Sequence, residues 1–252
     1  MMPQIPGYVL LLESILQPLV MIIALGLIWL GAARMPASAK SRYTTAGALS
    51  VVFIGWEAVA QYLGAANTYL ATMENPPAVP TVLFGLLVPL AVAAIGLWQS
   101  ESIARLVSAI PLYWLVAAQV FRVGGGVFLV LWADGRLPWQ FALPAGIGDV
   151  ATGIVAVVVA GRLARNAIGA RRATYAWCLF GIADLVVAIA MGAMTSPGRA
   201  HLVAFDAPNL LMTAYPLVMV PTFAVPLALM LHGLVLLRLR RGAAATGRLA
   251  AA

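Results

Sequence analysis

Residues 107–132 read VSAIPLYWLVAAQVFRVGGGVFLVLW, and residues 141–161 read FALPAGIGDVATGIVAVVVAG. A helix crosses the hydrocarbon core of a bilayer, about 30 Å thick, in about 20 residues, and each stretch is apolar over that length. Each stretch nevertheless contains one charged residue, Arg122 in the first and Asp149 in the second. The two stretches predict transmembrane helices that carry charge inside the bilayer.

Five more stretches share this length and apolar character. The seven predicted spans are residues 8–32, 44–68, 79–98, 107–132, 141–161, 174–194 and 211–237. Residues typical of turns, among them Pro, Gly, Ser and Asn, separate the spans. The sequence therefore predicts an all-α, polytopic transmembrane helix bundle with seven spans. We expect a single domain over residues 1–241 and a short disordered cytoplasmic tail over residues 242–252.

The composition agrees with a protein whose solvent is mostly lipid. Of the 252 residues, 63% are hydrophobic and 9% are charged, whereas a soluble domain has about 25% charged residues. The lipid bilayer is therefore the expected partner. The formal net charge of +7 arises from arginines in short clusters between apolar stretches, where they set orientation and meet anionic lipid heads. No nucleic acid is expected.

Lysine and arginine are concentrated in alternate connections between the predicted spans. The positive-inside rule assigns such connections to the cytoplasm. They contain Arg34, Lys40 and Arg42, then Arg162, Arg165, Arg171 and Arg172, and finally Arg238, Arg240, Arg241 and Arg248. The opposite connections contain only Arg136 and Arg199. This distribution predicts an N-out, C-in topology.

The composition also indicates a source. Abundant Ala and Arg with scarce Lys is typical of a GC-rich bacterial gene, so we expect the inner (plasma) membrane of a bacterium.

Tryptophans near the predicted span ends have the pattern of an interfacial aromatic belt. They are Trp98, Trp132, Trp139 and Trp177.

Charged residues within the predicted spans are the candidates for a functional site. They are Glu13, Glu57, Arg122, Asp149 and Asp184, on the first, second, fourth, fifth and sixth spans, with His232 as a possible sixth member. A charge at the bilayer centre costs about 2.5 to 3.5 kcal/mol, so the charges that persist usually face the bundle interior. At about 1.5 Å per residue, all but Glu13 and His232 are expected roughly 12 to 16 Å below the outer boundary.

Arg122 requires a carboxylate partner because a guanidinium does not lose its proton. Asp149 is the first choice, since the fourth and fifth spans are joined by a short loop, and Asp184 is the second. Once one acid balances Arg122, at least one other is expected to hold a proton near neutral pH, and such a group exchanges a proton or binds a cation. The alternative to a functional site is that these residues form structural ion pairs, or that Glu13 and His232, near the span ends, extend their polar groups to the membrane surface.

A run of glycines, Gly124, Gly125 and Gly126, directly follows Arg122. Glycine lets another helix or a ligand approach closely and weakens the helix at that level, although tight helix packing alone also uses small residues. The next two spans contain similar segments, Gly146–Val150 and Gly181–Leu185, which suggests an internal repeat.

The last predicted span contains three prolines, Pro216, Pro221 and Pro226. Each proline removes one helical hydrogen bond. We expect a bent or broken segment whose freed carbonyls line a cavity or accept hydrogen bonds from Thr213 and Thr222.

Several membrane-protein classes lack their required residues here. A retinal pigment needs a lysine in its last helix, and Lys40 lies in a connection. A zinc hydrolase needs about three histidines, but His201 and His232 are expected a membrane thickness apart. Cys178 is the only cysteine, which excludes an intrachain disulfide, and we expect it to be a core residue. No cofactor and no metal are predicted.

Three classes of function remain. The leading hypothesis is a transporter or channel-like protein that handles a proton or a small solute in a charged pocket of Arg122, Asp149, Asp184, Glu57 and Glu13. The second is a non-catalytic subunit, sensor or assembly factor whose charges lock helices together. The third is a membrane-embedded enzyme, which ranks last because no nucleophile and base pair is visible.

The predicted topology can be tested with reporters that are active on one side of the membrane. A reporter fused after Arg241 should be active in the cytoplasm, whereas one inserted between Glu74 and Pro77 should be active outside. Activity of both reporters on one side would contradict an odd number of spans.

Overall fold

A computed structural model describes residues 3–77 and 81–250, with side chains as far as Arg241. Within these ranges every regular element is a helix. In chain order they are α1 (Gly7–Arg34), α2 (Ala39–Ala65), α3 (Thr81–Gln99), α4 (Glu101–Ala109), α5 (Leu112–Ala117), α6 (Val127–Ala133), α7 (Trp139–Ala164), α8 (Ala170–Thr195) and α9 (Val225–Ala250). A 3₁₀ helix, Ala118–Gly126, joins α5 to α6, a short 3₁₀ turn covers Leu211–Thr213, and a π-helical segment, Val220–Ala224, leads into α9.

Seven spans are long and apolar enough to cross a membrane. They are α1, α2, α3, the combined span Leu112–Ala133, α7, α8 and the span Val220–Arg241. The prediction of an all-α, seven-span bundle is therefore confirmed. Helix α9 continues to Ala250, residues 251–252 lie outside the described part of the chain, and the disordered tail over residues 242–252 stays a prediction.

Alternating spans create two faces of the bundle. The N-terminal face contains the start of α1 and the connections that follow α2, α6 and α8. The C-terminal face contains the connections that follow α1, α3 and α7, and Arg241. The basic clusters lie on the C-terminal face, as does Arg105 in α4. The positive-inside rule assigns this face to the cytoplasm, and that orientation stays a prediction.

The fourth span is shorter than predicted because a separate helix precedes it. Pro111 disfavours α conformation at the residue before it, so α4 ends at Ala109 and α5 begins at Leu112. Arg238 of α9 caps α4 by donating to the carbonyls of Val107 (3.2 Å), Ser108 (2.5 Å) and Ile110 (3.1 Å). A cation at this position also complements the negative end of the helix dipole.

The last span begins later than predicted, because the α-helix starts at Val225 rather than near residue 211. Pro226 has no N–H to donate to the carbonyl of Thr222. The indole Nε1 of Trp56 donates to that carbonyl instead, at 3.1 Å. The hydroxyls of Thr222 and Thr213 donate to the carbonyls of Val218 and Leu210, neither of which lies four residues before a proline. The prediction that these two hydroxyls satisfy carbonyls freed by proline is therefore wrong.

Among the described residues, helix α7 makes the most extensive contacts with other helical elements. It packs against the 3₁₀ helix Ala118–Gly126, α8, α5 and α6, and α8 packs against α9. Over its most apolar window, the span Leu112–Ala133 is 56% buried, whereas α3 is 6% buried. The fourth span is therefore an interior element, and a charge on its buried face must be satisfied by protein groups rather than by lipid headgroups.

Candidate functional site

Arg122 lies in the interior 3₁₀ helix Ala118–Gly126 and is 3% exposed. The predicted glycines Gly124, Gly125 and Gly126 form the end of the same 3₁₀ helix. Glycine gives little support to α geometry, and a 3₁₀ stretch within a helix often marks a functional hinge or a strained sequence. The irregular backbone that was expected after Arg122 therefore lies in the same short segment of the span as the charge of Arg122.

The guanidinium of Arg122 binds both predicted aspartates. Its Nε donates to Oδ1 of Asp149 at 2.6 Å, and its Nη2 forms an ion pair with Oδ2 of Asp184. Its Nη1 donates to the carbonyl of Gly181 at 3.2 Å and contacts Nε2 of His232 at 3.3 Å. Four helical spans therefore meet at one side chain. We refer to Arg122, Asp149 and Asp184 as the charge cluster.

The charge cluster contains one permanent positive charge and two acids. Its side chains differ in exposure: Arg122 is 2% exposed, Asp184 is 6% exposed and Asp149 is 15% exposed. With both acids ionised, the cluster would carry an uncompensated negative charge in low dielectric, which is costly. Asp149 is the member that a proton or a ligand can reach most readily.

The absence of a side chain at three glycines provides the space that the charge cluster occupies. A Cβ on Gly125 would lie 2.5 Å from Cβ of Asp149, and a Cβ on Gly148 would overlap the carboxylate of Asp184. A Cβ on Gly181 would lie 2.5 Å from Cε1 of His232. Each glycine is on a different span, so the close approach of these helices depends on small residues at the level of the charges.

His232 is fully buried beside Arg122 and has a defined hydrogen-bonding pattern. Because a guanidinium only donates, Nε2 of His232 must accept, so the proton of the neutral ring is on Nδ1. Nδ1 contacts Sγ of Cys178 at 3.3 Å, and the thiol donates to the carbonyl of His232 at 3.4 Å. Both ring nitrogens are thus used in packing α9 against α8 and Arg122.

Glu13 and Glu57 do not contact the charge cluster but are connected through two glutamines. Nε2 of Gln17 donates to Glu13 at 3.4 Å, and Nε2 of Gln61 donates to Gln17 at 3.4 Å and to Glu57 at 3.2 Å. Glu13 is 5% exposed, whereas Glu57 is half-buried. A chain of polar side chains therefore crosses the contact between α1 and α2.

Two cavities meet at Asp149. The smaller, about 60 Å³, is bordered by Glu13, Gln17, Arg122 and Asp149. The larger, about 110 Å³, lies between α3 and α8, reaches the N-terminal face and also ends at Asp149. Pro221 borders the larger cavity. Asp149 is the only charged residue that borders both cavities among the described residues.

The prolines of the last span lie in different kinds of backbone. Pro216 precedes the helical part, Pro221 is in the π-helical segment and Pro226 is in the first turn of α9. A π-helical segment within a span is rare and is frequent at functional sites.

Some contributing residues were missed by sequence reasoning. Trp177, interpreted as an interfacial residue, is 4% exposed, packs on His232 at 4.9 Å between ring centroids and donates to the carbonyl of Thr152 at 3.0 Å. Gln17 and Gln61 were not singled out, although polar amides inside predicted spans are themselves a signal. Gly148, directly before Asp149, was predicted only to belong to an internal repeat.

One family model matches the chain, that of a domain of unknown function (DUF8737), over residues 77–240. The matched residues include the whole charge cluster and His232, whereas Glu13 and Glu57 lie before them. No curated protein and no solved structure matches the chain.

The role of glycine at the cluster can be tested by replacing Gly148 with alanine. Gly148→Ala should displace the Asp184 carboxylate from Arg122 and lower the free energy of unfolding by about 3 kcal/mol, since a buried charge loses its partner. Gly233→Ala is the matched control, because a Cβ there has no neighbour within 4 Å. Unfolding of both variants is followed in detergent, and equal stability of the two would contradict the packing argument.

Proposed function

We propose that this chain, which belongs to the family described as a domain of unknown function (DUF8737), is a proton-linked membrane transporter of a small solute. The charge cluster is its exchange site. The observation that carries the proposal is that one guanidinium binds two carboxylates, and that Asp149, one of those carboxylates, borders both cavities.

Charge balance is the physical basis of the exchange. Two carboxylates that share one counter-charge in a site of low dielectric repel each other, so a single shared proton makes the cluster neutral. Release of that proton leaves a negative charge that another cation can balance. Uptake and release of the proton at Asp149 are therefore coupled to the binding of another cation in the cavities.

A proton path from α1 and α2 is supported by the smaller cavity. A cavity of about 60 Å³ has room for water, which needs polar partners to be ordered. Glu13 and Gln17 supply such partners on one wall, and Asp149 and Arg122 supply them on another. Water there would connect Glu13 to the cluster.

Towards the C-terminal face, two buried polar atoms support a continuation of the path. Oε1 of Gln119 and Oγ1 of Thr152 have no hydrogen-bond partner among the described residues. Gln119 is one 3₁₀ turn before Arg122, and Thr152 is one helical turn after Asp149. Buried polar groups of this kind are usually satisfied by water.

Irregular backbone supports a change of shape during transport. The 3₁₀ helix Ala118–Gly126 carries Arg122, and the π-helical segment Val220–Ala224 borders the cavities. Broken helices at the substrate level are a common feature of secondary transporters. We infer the inner membrane of a bacterium from the abundance of Ala and Arg with scarce Lys, and an outside N-terminus from the basic clusters of the C-terminal face.

A structural role is the second candidate, and the hydrogen bonding of Arg122 favours it. Its guanidinium contacts four partners and the residue is 3% exposed. In that role the cluster only holds the fourth span, α7, α8 and α9 together, as in a membrane subunit, sensor or assembly factor.

A single substitution, Asp149→Asn, separates the two candidates. Asparagine keeps hydrogen-bonding capacity without titrating, and Asp184 still balances the charge of Arg122, so a transporter should keep its fold and lose proton-linked flux at least tenfold. The protein is reconstituted in vesicles, flux is followed with a pH-sensitive dye and folding is followed by thermal melting. Asp206→Asn, which removes an exposed acid, is the control and should transport like the parent.

The outcomes of this experiment are distinct. Unchanged flux in Asp149→Asn would refute the exchange role of the cluster. Absence of flux in the parent, together with loss of folding in Asp149→Asn, would favour the structural role.

A further inference from the structure

We propose that the larger cavity binds a small lipophilic cation, an ammonium with one apolar ring, with Asp149 as its counter-charge. The inference rests on the proposed function and names the substrate class of the same site. It depends on the charge, the lining, the size and the entrance of the cavity between α3 and α8.

The charge of the lining selects a cation. Asp149 is the only charged residue that borders the larger cavity, and no lysine, arginine or histidine borders it among the described residues. Arg122 borders only the smaller cavity. A ligand in the larger cavity therefore contacts the carboxylate but not the guanidinium, so an ammonium gains a charge-assisted hydrogen bond, whereas an anion finds no cationic residue in the lining.

The rest of the lining is mostly apolar and partly aromatic. Phe128 and Phe141 are both buried, have ring centroids 5.3 Å apart and border the cavity between Asp149 and the N-terminal face. Aromatic faces attract cations, by about 2 kcal/mol or more where water is excluded. Apolar walls with one carboxylate match a molecule that is hydrophobic except for one positive group.

The size of the cavity limits the ligand. Its volume is about 110 Å³, whereas an apolar cavity of about 150 Å³ accommodates benzene. One ring, or an alkyl chain of equal bulk, fills the space with modest adjustment of its walls. A polycyclic cation does not fit without displacing α3 or α8.

The entrance lies where α3 and α8 approach the N-terminal face. Thr81 begins α3 there, and Ser196 and Pro197 follow α8. Helix α3 packs on the π-helical segment, α9 and α4, so its other side faces lipid. A lipophilic cation enriched at the membrane interface thus has a short path to Asp149.

Exchange follows from charge balance. The bound ammonium and the shared proton each neutralise the same excess negative charge, so the two exclude each other. Binding of the ammonium releases the proton from the cluster, and no bond other than the carboxyl O–H is broken. The protein therefore transports a proton and a lipophilic cation in opposite directions.

Benzylammonium is a suitable probe, with benzyl alcohol and benzoate as neutral and anionic molecules of similar size. Binding to the full chain in lipid nanodiscs is measured by calorimetry, with empty nanodiscs subtracted. Benzylammonium should bind saturably and release a proton, whereas benzyl alcohol and benzoate should bind at least tenfold more weakly.

Substitutions locate the binding site. Asp149→Asn should weaken benzylammonium binding at least tenfold. Ala188→Trp should do the same while leaving the charge cluster intact, because Ala188 borders the cavity and an indole fills it. Ala190→Trp is the matched control: it adds the same side chain at an exposed position of α8 and should bind like the parent.

The results distinguish this inference from the proposed function. No saturable binding to the parent, or binding unaffected by Ala188→Trp, overturns the cation site even when proton flux depends on Asp149. Saturable, Asp149-dependent binding without any proton-linked flux sustains the cation site and overturns the transporter.

Discussion

Arg122 is a permanent positive charge within a membrane-spanning helix, and the structure around it is organised by the need to satisfy that charge. A guanidinium has five N–H donors and does not deprotonate in a protein, so it requires acceptors from its neighbours. Two carboxylates, one backbone carbonyl and one imidazole supply them. The positions of α7, α8 and α9 relative to the fourth span follow from these four contacts.

The same constraint explains why small residues lie at the level of the charges. Contacts of 2.6 to 3.3 Å to three groups, with the ion pair to Asp184 as a fourth, require the backbones to approach closely, and Gly125, Gly148 and Gly181 provide the space. Satisfying Arg122 with two acids rather than one creates the excess of negative charge. Packing and chemistry are thus linked, because the contacts that bring the helices together also leave a group that can exchange a cation.

The number of spans, the charges inside them and the aspartate partners of Arg122 could be predicted from the sequence. Apolar length and the rarity of buried charge are strong signals. The start of α9 was placed too early because hydropathy does not distinguish a π-helical segment from an α-helix. Helix α4 was missed because it has nine residues, with Glu101 and Arg105 among them, and so forms no apolar stretch of membrane-spanning length. Gly148 and Gln17 act through tertiary contacts, which one-dimensional spacing does not show.

The two aspartates reach Arg122 from antiparallel helices, and this bears on the similarity between Gly146–Val150 and Gly181–Leu185. Asp149 and Asp184 occupy the same position in the similar segments and bind the same guanidinium. Their glycines differ in role, since Gly181 accommodates His232 while a Cβ on Gly146 would meet Leu129. A duplicated helix that inserts in the opposite direction carries a mid-span carboxylate to nearly the same depth. Duplication would therefore supply a second acid for a single arginine, and with it the unbalanced charge on which exchange depends.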